Sequence, residues 1–79
     1  MNKDELIEAF ELIEEENFEE ALVFLKHFDS PEAAWIQACL YRKLGDKWNA
    51  DYWYDKAGRT TPTQSFDAEL EEIKGLLDD

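Results

Sequence analysis

Apolar residues recur at helical spacing along the whole chain. Leu6, Ala9, Phe10 and Ile13 fall at i, i+3, i+4 and i+7 with Glu5, Glu8, Glu11 and Glu15 on the other side, the pattern of an amphipathic helix with a wet flank. Asn17 followed by Glu20 has the spacing of a capping box and predicts a second helix carrying Phe18, Ala21, Leu22, Leu25 and Phe28. Ser30-Pro31 supplies an N-cap and a first-turn proline for a third helix, which runs to Leu44 and stops at Gly45, where glycine suits a left-handed cap. A fourth helix starts at Asp46 and ends near Gly58. Thr61, Pro62 and Gln64 repeat the starting grammar for a fifth, striped by Phe66, Leu70, Ile73 and Leu77. No segment reads as a strand, so the fold class is all-α.

The helices also repeat. Ala9, Leu12, Asn17, Ala21, Leu25 and Phe28 match Ala38, Tyr41, Asp46, Ala50, Tyr54 and Ala57 at a constant offset of 29 residues, small on small and bulky on bulky except for the last pair. The second unit, about 34 to 62, resembles the tetratricopeptide repeat and more loosely the related Sel1-like repeat. Ala38 stands at the family's small position, Tyr41 at its aromatic one and Gly45-Asp46 at the turn between helices. Ala50, Tyr54, Ala57 and Pro62 follow as small, aromatic, small and proline. In the first unit Glu16 stands where the family has glycine and Phe28 where it has alanine. The stretch GDKWNADYWYDKAG is also similar to a signature of small bacterial proteins, a likeness that carries no mechanism. The resemblance implies a single domain of two antiparallel helix hairpins, about 4–28 and 31–58, with a capping helix at about 62–77 on the open end of a short right-handed solenoid. It further implies a non-catalytic module that binds a protein or peptide. The family's usual peptide groove is lined by the first helix of each hairpin, where the outward residues of helix three include Trp35, Arg42 and Lys43, although a tryptophan at such a place is more often core than ligand contact. The lysine and asparagine set with which part of the family grips a free peptide C-terminus is missing.

Helix four carries more aromatic surface than one packing stripe needs. At 100° per residue Ala50, Trp53, Tyr54 and Ala57 share one face, and Trp48, Tyr52 and Arg59 point the opposite way with Asp55 alongside. Three readings of this second face stay open: cover by helix five or by a slight rotation of helix four, contact with a second copy as a homodimer, or a site for a different protein. Trp, Tyr and Arg are the residues enriched in binding hot spots. The candidate partner-binding residues are therefore Trp48, Tyr52, Arg59, Trp35 and Arg42.

Charge and chemistry narrow the function classes. The 79 residues carry a formal charge of −12, divided as −8 over residues 1–20, +1 over 21–62 and −5 over 63–79. Such a balance disfavours nucleic acid and anionic membranes as partners, because like charges repel. It leaves an alternative function, an acidic decoy that imitates nucleic acid and occupies a basic protein. Against that reading, the acids stand at opposite ends of the chain, whereas a decoy needs them on one face. No apolar run approaches the ~20 residues of a membrane span, and no leader is evident. The lone Cys39 has no partner for an internal disulfide, which fits a reducing cytoplasm. It also lacks a neighbouring base, so it reads as an inert core thiol. The single His27 has no glutamate three residues before it, and neither a phosphate-cradling loop nor a Ser-His-Asp set is present. The expectation is no enzyme, no cofactor and no metal.

Overall fold

The computed structural model describes residues 1–77. It contains five α-helices: α1 (Lys3–Glu14), α2 (Phe18–Leu25), α3 (Pro31–Lys43), α4 (Lys47–Lys56) and α5 (Phe66–Lys74). A 3-10 turn, Gly75–Leu77, extends α5, and the described residues hold no strand. α1 packs on α2, α2 on α3, and α3 on α4. α5 packs on α3, and its 3-10 extension reaches back to α1. α3 is thus the hub, and every residue from Ala33 to Leu40 is buried. Between Glu32 and Arg42 the chain carries no charged residue, so this helix has no polar face to turn outward.

Three helix ends share one geometry. At the close of α1 the Glu16 amide donates to the Ile13 carbonyl (3.0 Å) and the Asn17 amide to the Leu12 carbonyl (2.9 Å). After α3, Gly45 donates to Arg42 (3.1 Å) and Asp46 to Tyr41 (2.9 Å); after α4, Gly58 donates to Asp55 (3.0 Å) and Arg59 to Tyr54 (2.9 Å). These are Schellman caps, which close the helix's last carbonyls by putting one residue into the left-handed region. That residue is Gly45 (φ 81°) or Gly58 (φ 73°) in two cases and Glu16 (φ 61°) in the third. The first two caps lie 29 residues apart, so the sequence repeat is also a repeat of backbone hydrogen bonds.

The helix starts depart in part from the sequence pattern. Ser30 and Asp46 cap α3 and α4 as their types suggest, their side chains accepting from the Ala33 amide (3.3 Å) and the Asn49 amide (3.2 Å). Asn17 makes no such bond to α2. Its side-chain amide donates to Glu15 instead (3.4 Å), because the Schellman turn has already fixed its backbone. The full capping box lies at Asn2 and Glu5, whose side chains and amides bond reciprocally at 2.8 Å. α5 starts at Phe66 behind Ser65 rather than near Pro62. Thr61 is diverted to the Asp51 carboxylate (3.0 Å), and the Gln64 carbonyl accepts from Arg42 (2.8 Å), so Arg59–Ser65 runs as an irregular strap over the helices.

A non-glycine residue in the left-handed region costs about 1 kcal/mol that glycine avoids. Glu16→Gly should therefore raise stability by somewhat under about 1 kcal/mol after glycine's extra unfolded-state entropy is subtracted. Gly45→Ala should lower it by a similar amount. Urea unfolding of the two variants beside the wild type checks both signs.

Candidate functional site

The five candidate residues separate into two places. Trp48 and Tyr52 project from the outer face of α4 at 89% and 55% exposure, in a shallow depression of about 580 Å³ edged by Lys47, Asp51 and Asp55. The Tyr52 ring meets Trp53 edge-on with centroids 5.2 Å apart, and the Lys56 ammonium lies over both rings. These contacts hold Tyr52 in place from the packed side of the helix. The opposite stripe behaves as its spacing predicts, with Ala50 and Tyr54 buried and Trp53 and Ala57 half-buried against the core. Cover by helix five, one of the three readings of this face, is not what the fold provides: α5 lies on α3 and leaves Trp48 bare.

Trp35, Arg42 and Arg59 sit elsewhere, around a residue that helical periodicity does not mark. Glu69 of α5 is 1% exposed, and its carboxylate accepts from the Trp35 indole N–H (3.0 Å), the Arg42 guanidinium (2.7 Å) and the Tyr54 hydroxyl (2.7 Å to each oxygen). Arg59 stacks over Trp35, its guanidinium carbon 3.3 Å from the ring centroid, and reaches Glu72 at 3.7 Å. Two expectations are corrected here. Trp35 and Arg42 are not outward residues of a peptide groove, because α5 lies on that side of α3 and inserts Glu69 between them. Arg59 does not share the face of Trp48 and Tyr52, because α4 ends at Lys56 and the left-handed turn at Gly58 resets the chain's direction. Glu69 lies only 40° from Ile73 on a helical wheel, at the flank of the apolar stripe, which is the one faint signal that it turns inward.

The cluster is built to hold protons still. Burial first, and then the hydrogen bonding and charge of Glu69, push the Tyr54 hydroxyl and the Cys39 thiol well above their ordinary ranges. Burial works against the Arg42 cation, yet its bond to Glu69 and the nearby Tyr54 oxygen outweigh that and raise its pKa. A thiol so placed is a poor nucleophile. His27 is exposed at the end of α2, where its ring contacts the Phe24 carbonyl (3.3 Å). Among the described residues no group of three His, Cys, Asp or Glu side chains is placed to hold a metal ion, and no helix is long and apolar enough to cross a membrane.

The acids are not spatially divided as their positions in the chain suggest. Lys74 of α5 lies 3.1 Å from Glu14 of α1 and 3.7 Å from Glu71, so the fold brings the two acidic ends side by side. No protein-family model matches the chain, and no curated protein or solved structure matches it.

Removing the Glu69 carboxylate leaves a guanidinium, an indole N–H and a hydroxyl without their acceptor. Glu69→Ala should cost about 3 kcal/mol or more, against a total of roughly 4–12 kcal/mol for a domain of this size. Glu69→Gln, which keeps one acceptor, should cost less. Thermal melts followed by near-ultraviolet dichroism of the aromatic side chains check the order. The pH dependence has a definite sign. Tyr54 and Cys39 hold their protons more tightly folded than unfolded, so their stabilisation is full below their ordinary values of 10.0 and 9.0 and is lost as pH rises beyond them. The urea midpoint should fall between pH 9 and 11, and Tyr54→Phe should flatten the upper part of that fall.

Proposed function

We propose that the chain is a non-catalytic helical-repeat module of the cytoplasm that binds another protein through the outer face of α4. The observation that carries this reading is Trp48, 89% exposed on a helix whose other large aromatics are anchored. An exposed tryptophan contributes little to its own fold, and tryptophan and tyrosine side by side are the side chains that most often dominate a protein interface. The depression around them adds one cation and two carboxylates, enough to orient a partner without requiring strong opposite charge. Lys47 and Asp51 already pair with each other at 3.4 Å, an exposed contact worth little by itself. The 29-residue repeat of sequence and caps supports the helical-repeat part of the reading.

The test is Trp48→Ala. It should weaken association by about 2 kcal/mol or more while leaving folding nearly untouched. Light scattering over a concentration range and affinity capture with each form give the association side, and thermal melting gives the other. A Tm that drops by many degrees with unchanged association would return Trp48 to a structural role and overturn the reading.

A further inference from the structure

A second uncovered surface lies between α1 and α2, apart from the α4 face. Leu12, Val23 and Phe24 line an open groove of about 560 Å³ whose rim carries Glu8, Glu19 and Glu20, with His27 as the one basic side chain along it. Val23 is 60% exposed, an unusual place for a large aliphatic residue on a helix whose other apolar positions are covered. α1 packs on α2 and the 3-10 turn, and α2 on α1 and α3, so among the described residues no other helix packs across the groove. Among the described residues the three rim glutamates have no ion-pair partner, although the chain does pair the acids on the other flank of α1, where Glu14 meets Lys74.

We infer that this groove docks a basic amphipathic helix from another protein, with an aliphatic stripe seated on Leu12, Val23 and Phe24 and flanking lysine or arginine residues paired with Glu8, Glu19 and Glu20. The apolar floor alone would suit any hydrophobic stripe; the rim selects. Three carboxylates without an ion-pair partner, set against one histidine, leave the rim acidic, which favours lysine and arginine and rejects acidic partners. A second copy of this chain is disfavoured on the same ground, since the molecule as a whole carries a charge of −12. Length fits as well. The eight residues of α2 span about 12 Å, room for roughly two turns of a docked helix. The groove belongs to different helices from the α4 surface, so the two readings stand or fall separately.

The probe is a fluorescently labelled 18-residue peptide of leucine and lysine in helical periodicity, with a leucine and glutamate peptide of the same pattern as control. Anisotropy should show saturable binding of the first and none of the second. Val23→Glu should weaken binding at least tenfold even though it makes the protein more acidic, which separates docking in the groove from general attraction to a negative surface. Val23→Lys, which pairs favourably with Glu19 one turn earlier and keeps the helix stable, should weaken it at least as much. Raising salt from 50 to 500 mM should cost at least tenfold, and Trp48→Ala should change nothing. Thermal melts confirm that each variant is folded. Equal binding by wild type and both Val23 variants, or equal binding of the two peptides, would overturn the proposal. So would a concentration-dependent doubling of the wild-type mass that Val23→Glu abolishes, because the occupant would then be a second copy.

Discussion

A carboxylate with almost no access to water holds the fold together. Glu69 enters from α5, the last helix, and is met by donors from α3 and α4: the Trp35 indole, the Arg42 guanidinium and the Tyr54 hydroxyl. Taking such a charge out of water is expensive, and only a full set of donors offsets it. The consequence is geometric. α5 must sit where all the donors converge, and that place is the side of α3 that a lone pair of helix hairpins would leave open. Arg42 then ties down the strap through the Gln64 carbonyl, and Arg59 closes over Trp35. A chain of 79 residues buries a modest core, so one buried carboxylate with donors on both oxygens at the hub has a large share in deciding which arrangement is unique.

The same placement explains which surfaces remain free. Because α5 covers α3, it cannot cover α4, and Trp48 and Tyr52 stay in solvent. Because the 3-10 turn reaches only one flank of α1, the other flank keeps its groove with α2 open and its glutamates unpaired. The two exposed apolar features are thus by-products of a single choice, the side on which the last helix docks. They differ in chemistry. The α4 face is aromatic and nearly neutral, whereas the α1–α2 groove is aliphatic and ringed by acid, which suits them to different partners.

Glu16 shows how a repeat survives an unfavourable residue. Its counterpart 29 positions on is Gly45, and both occupy the left-handed position of the same cap. The backbone hydrogen bonds from Glu16 and Asn17 and the packing of α1 on α2 outweigh the local strain of about 1 kcal/mol. The Asn17 side chain is left without its usual task.

Read alone, the chain yields its helices and most of its core. Hydrophobic periodicity, serine, aspartate and proline at the starts, and glycine at two of the ends are local signals, and local hydrogen bonding obeys them. The buried stripes of α1, α2 and α4 follow, whereas periodicity sets Trp48 and Tyr52 opposite the packing stripe without saying whether anything covers them. The sequence has no means of saying which side of a helix a distant helix will cover. Trp35 and Arg42 lie as plausibly in an open groove as beneath α5 until Glu69, 34 and 27 residues away, is seen between them. Arg59 is misplaced by periodicity because a single left-handed residue at Gly58 redirects everything after it. The acids of residues 1–20 and 63–79 look remote until Lys74 joins them. In each case a long-range pairing, favoured by the desolvation of one charge or one apolar stripe, decided what a local pattern left open.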